Sequence, residues 1–122
     1  MRPFPQTALV LALALVGTTA FAQGDPGKGE QVFQASCSGC HVLTGQGFAG
    51  PPLAGVVGRK AGTAAGFAYS DALQKSGIVW NDQSLHAFLT DPAKTAPGTA
   101  MYFNLPDAQQ QDDVIAYLKA QH

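Results

Sequence analysis

Two cysteines stand three residues apart, and a histidine follows the second directly: Ala35-Ser36-Cys37-Ser38-Gly39-Cys40-His41. No other cysteine occurs in the 122 residues. Three chemistries use a Cys-x-x-Cys pair. A redox dithiol of the thioredoxin kind expects a strand before the motif and a βαβ unit around it, and no strand pattern precedes Cys37. Zinc wants four ligands, typically from two separated knuckles. This chain has one knuckle, with only His86 and His122 besides. A disulfide between Cys37 and Cys40 would close a tiny loop and remove little chain entropy. The third chemistry is covalent attachment of a c-type haem, whose signature is C-x-x-C-H. Residues three apart on a helical turn face the same way. Both thiols can then add to the vinyl groups of one porphyrin, and His41 projects towards the iron, where imidazole nitrogen is a good ligand.

The opposite face of the iron has two candidates. Apart from Met1, the one methionine is Met101, in Pro97-Gly98-Thr99-Ala100-Met101-Tyr102-Phe103. Methionine is usually core filler, but no helical stripe runs through this Gly/Pro loop. A thioether is a soft donor that favours ferrous iron and raises the reduction potential. His86 is the competitor. It follows Leu85 on a helical pattern and reads as a surface residue.

The rest of the chain must position these groups. Residues 1–22 have the pattern of an export signal: Arg2, an apolar run from Ala8 to Val16, and Ala20-Phe21-Ala22 ahead of a cleavage point before Gln23. The apolar run is shorter than a bilayer span needs; an uncleaved anchor is the alternative. One domain of about a hundred residues, 23–122, then remains, small enough to need help from a cofactor. It carries six basic and eight acidic side chains once Arg2 is set aside, about −2, and no basic stripe. Nucleic acid is therefore an unlikely partner by charge alone.

Helix signals come in short pieces. Asp25 can cap a helix that starts at Pro26, carries Val32 and Phe33 inward and ends near the cysteines. A Gly/Pro/Ala-rich segment, Val42 to Gly66, has neither helical nor strand period, and loops of that length usually bind something. Ser70 to Gly77 reads as a short capped helix stopped by glycine. A further helix from Asn81 places Leu85, Phe88 and Leu89 on one face. Asp91-Pro92 breaks it and opens another short turn. After the loop Pro97 to Pro106, a last helix from about Asp107 to Ala120 carries Val114, Tyr117 and Leu118. The fold class is all-α: helices separated by long loops, with apolar material too thin to fill the space between them.

The sequence resembles the class I cytochromes c, in particular the mitochondrial cytochrome c and bacterial cytochrome c2 group. The resemblance covers nearly all of Gly24 to Lys119. It rests on GDPGKGEQVF, CSGCH, GPPLAGVVGRKAGTAAGFAYSDAL, SGIVW, FLTDP, PGTAMYF and DDVIAYLK. It implies the small cytochrome c fold, with crossed terminal helices and loops wrapped around one haem. It implies thioethers at Cys37 and Cys40 and axial ligands His41 and Met101. The Pro51 carbonyl would accept a hydrogen bond from the His41 ring. Arg59, Tyr69 and Trp80 would surround one haem propionate, which needs partners to stay charged when buried. Thr99 would lie near the other. Gly29, Phe33, Val114 and Tyr117 match the helix crossing. Leu73 and Phe88 replace an asparagine and a tyrosine of the mitochondrial relatives, so the polar network there is reduced. The loop from His41 to Pro51 is slightly shorter.

The expected function is a soluble, periplasmic, monomeric electron carrier with one covalent haem c and redox-protein partners, not an enzyme. The alternatives are a haem enzyme or gas-binding protein with a labile Met101, and a tethered donor subunit of a larger redox complex. Where the resemblance implies a ring of lysines around the haem edge, this chain has Ser36, Phe48, Ala93 and Ala100, with Lys94 among the few that remain. Docking is expected to rest on apolar contact around Phe48, Ala100 and Phe103.

Overall fold

Asp25 starts the first helix. Its carboxylate accepts from the backbone N–H groups of Gly27 and Lys28, and Pro26 occupies the first helical position, where a missing N–H costs nothing. The computed structural model describes residues 1–3 and 23–122. The expected signal segment falls mostly in 4–22 and so lies outside the described residues. Helix α1 spans Pro26–Val32 and runs on through a π turn, Phe33–Cys37. The widened turn is closed by Ser38 N–H donating to Phe33 O at 2.8 Å. Helices α2 (Asp71–Lys75), α3 (Asp82–Thr90), α4 (Pro92–Thr95) and α5 (Ala108–Lys119) follow. The fold is all-α, and the only β feature among the described residues is a single antiparallel bridge, Lys60 to Val79.

The expected caps are present. Ser70 caps α2, and Gly77 follows it at φ 70°. Asn81 and Ser84 form a reciprocal capping box on α3. Asp91 ends α3 and caps α4 ahead of Pro92. The apolar face of α3 buries Leu85 and Phe88, and Phe88 lies 5.0 Å from the Trp80 ring. Helix α5 buries Val114 and Leu118 as expected. It also buries Ile115, Gln111 and Asp113, which a search for an apolar stripe passes over.

Helices α1 and α5 pack against each other at the two ends of the domain. Phe33 meets Tyr117 at 5.6 Å between ring centres. Gly29 is buried in the crossing. A Cβ there would stand 2.5 Å from the Asp113 carbonyl carbon and 2.7 Å from Tyr117 Cβ. The two helices thus touch backbone to backbone, which only glycine permits. A polar tie sits beside the contact. The buried Asp113 carboxylate accepts from Asp25 N–H at 2.8 Å and from Gln109 Nε2 at 3.0 Å.

Two expectations follow from this crossing. Alanine at position 29 gains about 1 kcal/mol of helix propensity. Its methyl group nevertheless meets backbone that cannot step aside, and overpacking costs roughly 1–3 kcal/mol or more. Gly29→Ala should therefore lower stability by about 1 kcal/mol net, read from urea unfolding; equal or higher stability would mean that the helices are not in close contact. The second expectation concerns acid. The Asp25 N–H bond holds the Asp113 carboxyl below the usual carboxylate range, with Gln109 and Lys28 adding to it against the cost of burial. A depressed folded-state value contributes stability that is present above the ordinary value of about 3.9 and is lost as pH falls through the folded one. Asp113→Asn should therefore flatten part of the loss of thermal stability below about pH 4. An unchanged acid limb would remove Asp113 from that role.

Candidate functional site

The motif occupies the turn that ends the π segment. The Cys37 carbonyl accepts from Cys40 N–H at 3.1 Å and from His41 N–H at 2.9 Å. That geometry carries the chain from Cys37 to His41 within one helical turn. Cys37 is half-buried and packs on the core, while Cys40 is exposed; neither is in a disulfide. Burial pushes the Cys37 thiol up to about 11. A redox dithiol needs the opposite, a thiol whose value is lowered. Among the described residues no group of three or more His, Cys, Asp or Glu side chains is arranged to hold a bare metal ion.

The segment after the motif is folded back by the segment that follows it. Gly50 N–H donates to Cys40 O, Leu53 N–H to Val42 O and Ala54 N–H to Leu43 O, at 2.8, 2.9 and 2.8 Å. Pro51 and Pro52 lie between these bonds and have no N–H to place. Their carbonyls are free for side chains. Pro51 O accepts from His41 Nδ1–H at 2.8 Å, and Pro52 O accepts from Arg59 Nη2 at 3.0 Å. The first bond fixes the tautomer of His41 and leaves Nε2 with its lone pair, the form that ligates a metal. Burial lowers the His41 value below that of an ordinary imidazole, with the Pro51 bond opposing the shift. A neutral ring is again what a ligand requires.

Gly50 completes this arrangement and was not singled out in the sequence. A Cβ on it would lie 2.6 Å from His41 Nδ1 and 2.9 Å from Nε2. The ring therefore rests on bare backbone, in a cradle that any side chain would fill. The signal was present in the sequence only as a glycine ahead of two prolines.

The other expected residues form smaller groups around the same core. Arg59 also reaches Ala54 O at 3.4 Å, and no carboxylate among the described residues lies in ion-pair range of it. Trp80 is buried, and its backbone N–H donates to Arg59 O at 2.9 Å, which brings the two together. Tyr69 is partly buried; its hydroxyl accepts from Ala64 N–H at 3.1 Å and its ring meets Phe67 edge-on at 4.9 Å. No side-chain bond joins it to Arg59 or Trp80. Thr99 is buried, and its Oγ1 accepts from Met101 N–H at 3.4 Å. Met101 is half-buried against the core to which Cys37 also packs.

The rival ligand His86 is not the surface residue the sequence suggested. It is half-buried between α3 and α5, with Nδ1 2.7 Å from Gln111 Oε1 and Nε2 2.9 Å from Asp112 Oδ1. Both ring nitrogens are engaged by α5, so neither is available to a metal.

The donor set fits a c-type haem. It supplies two thiols on one turn, a neutral imidazole with one nitrogen held and the other free, a thioether in a loop against the same core, and an arginine with spare donors for a carboxylate. Comparison with known proteins points the same way. The cytochrome c family model matches residues 27–121. Cytochrome c of Tetrahymena pyriformis is 46% identical over 99 residues, covering 80% of this chain and 90% of that protein. Cytochrome c2 of Rhodomicrobium vannielii is 44% identical over 118 residues, 94% of each chain. The solved structure of cytochrome cH from Methylobacterium extorquens superposes with a TM-score of 0.76 at 48% identity, covering 80% of this chain and all of that one. With the motif, the fold and the donor set agreeing with these matches, the chain belongs to the cytochrome c family and is a class I c-type cytochrome.

Proposed function

We propose that the protein is an exported carrier of single electrons, built around one covalent haem c. The observation that carries this reading is the His41 ring, held by Pro51 O with its other nitrogen free, one residue beyond a pair of thiols on the same turn. Cys37 and Cys40 would form the thioethers. His41 Nε2 and the Met101 sulfur would be the axial ligands. When bound, the group supplies an iron that alternates between ferric and ferrous states. The protein's part is to keep both ligands in place through that change. Pro51 O holds His41 through Nδ1, and Gly50 leaves the room in which the ring lies. Thr99 braces the backbone of Met101. Arg59, with donors beyond those used by Pro52 and Ala54, would face a propionate, with Trp80 and Tyr69 beside it.

Were His41 and Met101 both to ligate the iron, no position would be left for a substrate, so the reading is electron transfer rather than catalysis. The partners would be redox proteins. Phe48, Tyr102 and Phe103 stand exposed, and Ala93 and Ala100 are exposed as well, in keeping with docking by apolar contact. Tyr102 was not among the residues expected there. No helix among the described residues is long and apolar enough to cross a membrane. The expected site of action is the periplasm, after cleavage before Gln23. The cytochrome c2 alignment covers 94% of this chain and so reaches into residues before Gln23.

Redox titration with added carbon monoxide tests the reading. The wild type should titrate reversibly as a one-electron couple, and its ferrous form should leave carbon monoxide unbound. Met101→Ala should keep the covalent haem, lower the potential by tenths of a volt out of the roughly 0.8 V that axial ligands span, and bind carbon monoxide. Ready binding by the wild type would favour the gas-binding or enzymatic reading. A variant identical to the wild type in both respects would remove Met101 as the ligand.

A further inference from the structure

The loop that carries Met101 ends at Leu105, and both backbone groups of Leu105 are tied to helices. Its N–H donates to Leu89 O at the end of α3, at 2.7 Å. Its carbonyl accepts from Gln111 Nε2 on α5, at 2.6 Å. Gln111 is a buried polar side chain whose capacity is fully used. The second Nε2 proton goes to Thr90 Oγ1 at 2.9 Å, and Oε1 faces His86 Nδ1 at 2.7 Å. The amide cannot be turned over. Leu105 O is an acceptor only, so the nitrogen must face it and the oxygen must face His86. Thr90 in turn donates its hydroxyl proton to His86 O at 2.8 Å. His86 is held from its far side by Asp112, in ion-pair range when the ring is protonated.

Two features connect this cluster to Met101. Leu105 lies four residues along the chain from it, within one loop containing no helix or strand. Thr90 and Met101 also line the same cleft of about 310 Å³, as do Tyr102 and Asn104. The Met101 side chain is only half-buried, so packing alone holds it weakly. A buried amide satisfied on every atom is rigid, and leaving its partners unpaired is costly.

We infer that Gln111, held in one orientation by His86 and Thr90, is a positioning residue that fixes the downstream end of the Met101 loop and thereby keeps the methionine sulfur in place. This rests on the reading of Met101 as a ligand, and the test separates the two. Gln111→Met preserves length and removes both donations. His86→Phe leaves the donations and removes what orients them. In the haem-loaded protein, hydrogen exchange over residues 99–105 should lose roughly tenfold protection in Gln111→Met, about the loss of one buried hydrogen bond, and less in His86→Phe. Protection in α1 should change little. The affinity of the ferric protein for added imidazole should rise by a similar factor. Protection lost equally in the loop and in α1 would mean a general structural role and overturn the proposal, as would a loop unchanged in Gln111→Met. A loop unchanged in His86→Phe would overturn the part given to His86. An opened loop with unchanged imidazole affinity would support the anchor but overturn Met101 as the ligand that it positions.

Discussion

The site turns on one hydrogen bond, from His41 Nδ1–H to Pro51 O. It selects the tautomer, sets the plane of the ring and leaves a single nitrogen free. Everything around it serves to make it possible. The pairing of residues 50–54 with 40–43 brings the carbonyl alongside the ring. The carbonyls of the two consecutive prolines accept from side chains, Pro51 O from His41 and Pro52 O from Arg59. Gly50 removes the one side chain that would stand where the ring must lie. A π turn leads into the motif, in which Cys37 is half-buried against the core and Cys40 is exposed. A π turn costs hydrogen-bond geometry and is frequent at functional positions.

The terminal helices close the domain around this arrangement. Their contact at Gly29 fixes the axis of α1, at whose end the motif sits. Helix α5 has two attachments at different heights. Asp113 holds the start of α1, Gln111 and Asp112 hold α3 through His86, and Gln111 holds the far loop through Leu105. The same helix therefore braces both halves of the proposed ligand pair, one through α1 and one through Leu105. The apolar core is short of material: among the described residues eleven hydrophobic side chains are buried, and of these only Val114 and the small Ala61 are almost fully enclosed. Cys37, Leu53, Leu73 and Met101 are left partly covered. A large flat apolar group would cover such side chains, and a domain of this size gains little from the core it has.

Helices were legible in the sequence wherever their ends carried chemistry: Asp25 with Pro26, Ser70, Asn81, and Asp91 with Pro92. The motif was legible because its spacing matches one helical turn. Met101 was found by elimination, and Pro51 and Gly29 through family resemblance. What could not be read depends on contacts between distant segments. Gly50 is one of many glycines, and only the fold brings it against His41. Gln111 and Asp113 interrupt the apolar pattern of α5, so polarity made them look exposed, whereas their partners Leu105, Thr90 and Asp25 lie elsewhere in the chain. His86 was misread for the same reason. A histidine beside a leucine on an amphipathic helix is ordinarily solvated, and nothing local announces two acceptors waiting on α5.

On the proposed reading Cys37 and Cys40 would hold one haem through carbon–sulfur bonds in an exported chain. The most direct measurement is the intact mass of the protein purified from a host that exports and matures such chains, taken together with its pyridine haemochrome spectrum. The account predicts one species: the chain from Gln23 to His122 plus a single haem that survives acid–acetone extraction, with a haemochrome of the type given by two saturated vinyl positions. A folded protein with the mass of the bare chain, or one whose haem extracts freely, would contradict it.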